Sequence, residues 1–187
     1  MNRIFLSKYQ DEIQTINLYL NKLINDKLIV YAIDPKSDLF ETKESYGDRI
    51  LSCQIYKIIT SECGFTPSPD TLDKIRQHST SNILLSQLYD LLPISNFIAG
   101  QELTHYKQKA DIMEVIICEL KESKDKVAKQ LLKLMILVLI QHAMFKLNTK
   151  DFLLAKLYNS LTMASIVSLL APLGIFRPKT TPLLQEN

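Results

Sequence analysis

Tryptophan is absent from the 187-residue chain, and glycine occurs only four times. So little glycine argues against an architecture of tight β-hairpins, whose turns draw on its positive φ. Cysteine occurs three times, at Cys53, Cys63 and Cys118. The number is odd and the spacing is not that of a zinc site, which excludes a disulfide framework and points to reduced thiols inside a cell. Three histidines, His78, His105 and His142, form no constellation. His142 lies on an apolar segment and is expected in the core, while His105 precedes an acidic helix. Neither sign of charge dominates: the net charge is +2, too small to mark a nucleic-acid binder by itself. The first residues, MNRIFLSKYQDEI, lack the apolar run of a secretory signal, and acids arrive by Asp11. The expectation is an intracellular protein, of cytoplasm or nucleus. One uncharged stretch, Leu157 to Phe176, approaches membrane-span length. Asn159, Ser160, Thr162, Ser165, Ser168 and Pro172 dilute it, so a buried C-terminal helix with no membrane contact is expected.

Leucine, isoleucine and lysine are abundant, which favours helices. Apolar residues at Ile13, Ile16, Leu18, Leu20, Leu23 and Ile24 predict a helix within Tyr9 to Leu28. After the Pro35 breaker a second helix is expected from about Glu41 to Ser61. Thr71 or Asp70 should cap a third, running to about His78. Further helices fit Asn82 to Leu92, Lys107 to Lys121, Lys126 to Lys146 and Thr149 to Leu170. The end, Arg177 to Asn187, reads as a loose tail. With no alternating strand pattern, the fold class is all-α. The expected organisation is a domain over residues 1–148 and a helical extension packed on it over 149–187.

The second helix raises a chemical question. On a wheel of about 100° per residue, Asp48 and Glu41 fall about 40° and 60° from Glu44. Leu51, Ile55, Ile58 and Ile59 fall within the same stripe. Carboxylates on a core-facing stripe are costly unless a base or a metal pairs with them. The alternative is a solvated first turn whose acids favour the helix dipole. Gly47 costs about 1 kcal/mol in a helix relative to Ala, which suggests close backbone approach. A second acidic pair, Asp111 and Glu114, shares one face of a helix that is apolar on most other sides. Were the two helices to pack together, four carboxylates would converge. Such a cluster needs cations, and hard oxygen ligands select Mg²⁺ or Mn²⁺. Phosphodiester hydrolysis is the usual chemistry of such a site.

The stretch ETKESYGDRIL resembles the ribonuclease III family signature ERLEFLGDAVL, with Glu41, Glu44, Gly47, Asp48 and Leu51 on matching positions. KADIMEVIICEL resembles the family's second motif, ADxxEAxIGAL, through Ala110, Asp111, Glu114, Ile117 and Leu120. Between them, Ser81-Asn82 falls within a segment similar to the family's intervening helix pair. Upstream, only Ala32 and Ser37 match an ALTHRS segment. The likeness spans roughly residues 10 to 145. It implies an all-α, ribonuclease III-type endonuclease domain with an extra C-terminal helix, acting on double-stranded RNA. Glu44, Asp48, Asp111 and Glu114 would be the metal ligands, usually for Mg²⁺, with Mn²⁺ able to substitute. Glu114 and Asp48 would be catalytic. Glu41 matches a position near the scissile strand, and Arg49, Lys107 and Lys109 are further RNA-binding candidates. The resemblance also implies a homodimer in which each domain cuts one strand, leaving 3′ overhangs and 5′-phosphates.

Ser45-Tyr46 replaces Phe-Leu at the family's dimer contact, so the dimer is expected to be rebuilt there. Arg49 replaces a small residue, and Val115, Ile116 and Cys118 replace Ala, Leu and Gly. None removes a metal ligand. Nothing after Lys126 reads as the α-β-β-β-α module that usually binds duplex RNA. Affinity is then expected from the catalytic dimer, or from an accessory RNA-binding protein, through bases such as Lys36, Lys57, Lys74 and Arg76. Two other functions stay open. One is a non-catalytic RNA-binding or scaffold protein of the same fold, and the complete set of four acids argues against it. The other, a helical partner-binding or membrane-associated protein, rests only on the apolar C-terminal segment.

Overall fold

The computed structural model describes residues 9–62, 67–98 and 103–147. Every regular element among them is helical: α1 (Gln10–Asn25), α2 (Phe40–Glu62), α3 (Pro69–Ser79), α4 (Asn82–Tyr89), a 3-10 turn (Pro93–Asn96), α5 (Tyr106–Glu122) and α6 (Lys126–Leu147). The all-α expectation holds for these residues. The expected extension over 149–187, the boundary before it and Cys63 lie outside the described residues.

Two helices form the centre. Along α5, Ala110 and every residue from Ile112 to Leu120 are buried. In α6 burial is nearly continuous from Leu131 to Met144, with Lys133 the break. α2 packs most extensively on α5, α4 lies on another side of α5, and α6 carries α1 and α3. This is why the buried stretches of α5 and α6 are apolar on nearly every side: each is enclosed there by neighbours. α6 is long and apolar enough to cross a membrane, but 72% of its most apolar window is buried inside the protein, the pattern of a core helix. The apolar part of the stripe expected on α2 is buried, Leu51, Ile55 and Ile59 fully and Ile58 nearly so, but of its acids Glu44 is half-buried while Glu41 and Asp48 are exposed. His142 is buried, edge-on to the Tyr9 ring at 6.2 Å.

Local chemistry sets the helix ends. Thr71 and Asp70 do not cap α3. Ser68 does, its Oγ accepting from the Thr71 amide at 3.2 Å. Pro69 follows at the first helical position, where a missing N–H costs nothing, so the helix begins earlier than the acidic signal suggested. α4 starts at Ser81, whose Oγ accepts from Leu84 N, and ends at Tyr89, before the expected Leu92. The chain turns there into the 3-10 segment opened by Pro93. Asp125 Oδ1 accepts from Ala128 N at 2.9 Å at the start of α6. α1 ends through Leu28 N donating to Leu23 O, with Lys27 in the left-handed region at φ 58°.

Glu119 joins the segment after α1 to the core. It lies on α5, is 6% exposed, and accepts from three successive amides: Val30 at 2.8 Å, and Tyr31 and Ala32 at 3.0 Å each. A buried carboxylate is tolerable when donors converge on it in this way. The three bonds fix the path of the chain between α1 and α2.

Candidate metal centre

α2 and α5 meet backbone to backbone at Gly47. A Cβ built on Gly47 would overlap the main-chain carbonyl of Glu114. Only glycine allows that approach, which explains why α2 carries one in mid-helix despite its cost. The contact brings the N-terminal half of α2 against the N-terminal half of α5.

Three carboxylates converge there. One oxygen from each of Glu44, Asp111 and Glu114 lies within 4.8 Å of the other two. Opposite ligands of an octahedral Mg²⁺ stand about 4.1 Å apart, twice the metal–oxygen distance. Small side-chain rotations therefore suffice to close the cluster on such an ion. The chemistry of the donor set fits as well: three hard oxygens, from an i, i+3 pair on α5 and one residue of α2. The arrangement can hold a metal ion, and it does not by itself choose between Mg²⁺ and Mn²⁺.

The electrostatics favour a cation. Glu114 is 7% exposed, and its carboxyl is pushed up to about 8, first by burial and then by Asp48, Asp111 and Glu44. Glu44 is raised by burial and by Asp111. Lys107 partly answers this charge. Its Nζ lies 3.1 Å from Asp111 Oδ1 and Oδ2 and 3.7 Å from Glu44 Oε1. The hydrogen bond to Asp111 raises the Lys107 pKa. The lysine thus stands beside the carboxylates as a built-in counter-ion.

The other expected site residues are placed as follows. Asp48 is exposed and outside the trio of converging oxygens, yet it acts on Glu114 more strongly than any other acid. Glu41 and Arg49 are exposed on α2, and Arg49 makes no ion pair with a described residue. Lys109 turns away from the carboxylates to Asp90, at 2.7 Å, with its ammonium 5.9 Å from the Tyr89 ring. Ser45 and Tyr46 are exposed beside the site. His105 caps α5, its Nδ1 accepting from Lys107 N at 3.3 Å, and stacks on Tyr106.

Two features escaped the sequence reading. The Lys107–Asp111 pair was visible as an i, i+4 spacing, although Lys107 was assigned to RNA. Glu119 gave no signal, because its partners lie 87 to 89 residues away. Behind the site, Lys43 Nζ meets Glu122 Oε2 at 2.6 Å and sits 4.8 Å from the centre of the Tyr31 ring. Cys118 is buried there as a free thiol, pushed up to about 11 by burial and by Glu122. No family model and no curated protein sequence matches the chain.

Proposed function

We propose that the protein is a metal-dependent endoribonuclease of the ribonuclease III type, cleaving double-stranded RNA to short duplexes with 3′ overhangs and 5′-phosphates. The observation that carries this reading is the convergence of Glu44, Asp111 and Glu114, from two motifs about 65 residues apart, around the Gly47 backbone contact. Their meeting is what the resemblance of the two motifs leads one to expect.

Glu44, Asp111 and Glu114 would hold Mg²⁺, or Mn²⁺ in its place, and Asp48 would complete the set. The ion would supply Lewis acidity and an activated water. Glu114 is the ligand most committed to the cluster, since a buried carboxylate gains most from a cation. Asp48, exposed and close enough to raise Glu114, would orient a water at the site. Lys107, held on Asp111 and near Glu44, would supply positive charge at the edge of the site where a phosphate oxygen could meet it. Glu41 and Arg49, exposed on α2, would be contacts for the RNA, and Lys109 would join them only by leaving Asp90. Two copies would act together, one on each strand, with Ser45 and Tyr46 at the surface they share.

A second reading, a non-catalytic RNA-binding or scaffold protein, draws on Lys107 already neutralising the acids. One experiment separates the two. The purified chain is incubated with end-labelled long double-stranded RNA, with Mg²⁺ and with EDTA, beside Glu114→Gln. Discrete short duplexes that require both Mg²⁺ and Glu114 are expected. Bound but uncut RNA across a range of salt and protein concentrations would overturn the endonuclease reading in favour of the scaffold.

A further inference from the structure

Away from the carboxylates, a cleft of about 440 Å³ opens between the C-terminal half of α2, the end of α5 and the first half of α6. Lys57, Lys121, Lys129 and Lys133 line it, and among the described residues no aspartate or glutamate does. Its remaining wall includes Ile58, Leu132 and the Ser61 hydroxyl. Elsewhere Lys43 pairs with Glu122, Lys74 with Asp70, Arg76 with Asp73, Lys107 with Asp111 and Lys109 with Asp90, while Arg49 on α2 pairs with no described acid. Lys57, Lys121 and Lys129 are exposed and pair with no described carboxylate. Lys129 and Lys133 stand four residues apart on one helix, an arrangement of like charges that weakens the helix carrying it.

The geometry points to a phosphate-binding cleft that takes an organic polyphosphate, with a nucleoside triphosphate as its representative. Lysine ammonium groups bind phosphate as point charges, and the three exposed ones, Lys57, Lys121 and Lys129, around one opening favour a ligand of several negative charges over a monoanion. The volume suits a nucleotide-sized molecule. The apolar side chains of Ile58 and Leu132 give the uncharged part of such a ligand a surface to cover. Lys57 lies thirteen residues beyond Glu44 on α2, about 20 Å along the helix axis. The cleft is thus separate from the metal centre and does not depend on the endonuclease reading. The same phosphate chemistry occurs in a nucleic-acid backbone, so the test must tell the two sources apart.

Calorimetric titrations of the full-length chain in EDTA, which keeps divalent ions from the carboxylates, provide that test. The probes are ATP, tripolyphosphate and a short RNA duplex. The variants are the double substitution Lys57→Gln/Lys129→Gln, with Lys74→Gln and Glu114→Gln as controls. All the changed lysines are exposed, so the fold should survive, and circular dichroism checks it. ATP should bind the wild-type chain and lose about tenfold or more in affinity in the double variant, with both controls unchanged. Tripolyphosphate binding with the same lysine dependence would show that the phosphates supply the contact. Lysine-dependent binding of the duplex without ATP or tripolyphosphate would identify the phosphodiester backbone and overturn the small-molecule assignment. No binding of any probe at about 1 mM, or binding indifferent to Lys57 and Lys129, would overturn the cleft itself.

Discussion

At the scale of single residues, Glu114 carries the most consequence. Its carboxyl sits near 8 in the folded chain against an ordinary value of 4.5. The folded state therefore favours the protonated form. That contribution to stability is fully present below the ordinary value and is lost as pH rises through about 8. The metal-free protein should melt at a higher temperature at about pH 5.5 than at about pH 8.5. The part of this difference due to Glu114 should vanish in Glu114→Gln. Saturating Mg²⁺ should favour the ionised carboxylate and raise the melting temperature most at the alkaline end. Thermal denaturation across pH, with and without the ion, checks all three; a flat profile in the wild type would refute the burial-driven shift.

Gly47 makes the complementary prediction. Alanine is the better helix former by about 1 kcal/mol, so Gly47→Ala would stabilise an isolated α2. In the protein its methyl group meets the Glu114 carbonyl, which is main chain and has little freedom to yield. Overpacking typically costs about 1–3 kcal/mol and exceeds the gain in propensity. Chemical denaturation should show a net loss. Mg²⁺ affinity, measured by calorimetry, should fall with it as the two helices separate.

At the scale of elements, α5 is where the fold and the candidate site coincide. Asp111 and Glu114 face α2, while Glu119, farther along, holds the segment between α1 and α2. Glu119→Ala leaves three amides without their acceptor, and the Ala32 amide is buried. A loss on the order of 3 kcal/mol is expected by urea denaturation, with Glu119→Gln recovering part of it. Hydrogen exchange should localise the damage to residues 30 to 32. This element also shows the reach of the sequence. The position of α5 and its central burial were legible, because a helix apolar on most sides must be enclosed. The proximity of its acids to those of α2 was expected from the two motifs and is present for Glu44, Asp111 and Glu114. The role of Glu119 was not legible, since a carboxylate bonded to distant amides has the same local spacing as a solvated one. The cap at Ser68 was missed for another reason: acids near a helix start favour its dipole whether or not they cap it.

At the scale of the whole molecule, charge is small in sum and uneven in place. A net +2 hides a carboxylate cluster in one region and a four-lysine cleft in another. Sequence showed the lysines singly, as ordinary solvated side chains. Only the packing of α2, α5 and α6 collects them, so the cleft could not be found from spacing. If the protein holds duplex RNA through phosphates, affinity must fall steeply with salt as counterions are released. A loss of about tenfold or more between roughly 50 and 200 mM salt is expected in filter-binding or anisotropy measurements. A flat response would show that binding is not electrostatic.

The meeting of α2 and α5 also divides two kinds of change. At position 114 the neighbouring helix rests on the main chain, and the side chain is left to the cluster. A substitution there alters the chemistry and spares the joint. At position 47 no such division exists, because every other amino acid brings a Cβ and every Cβ strikes the joint. Variation in what the cluster binds is therefore open to point changes at its acids, whereas the distance between the helices that carry them is set by a residue with no alternative.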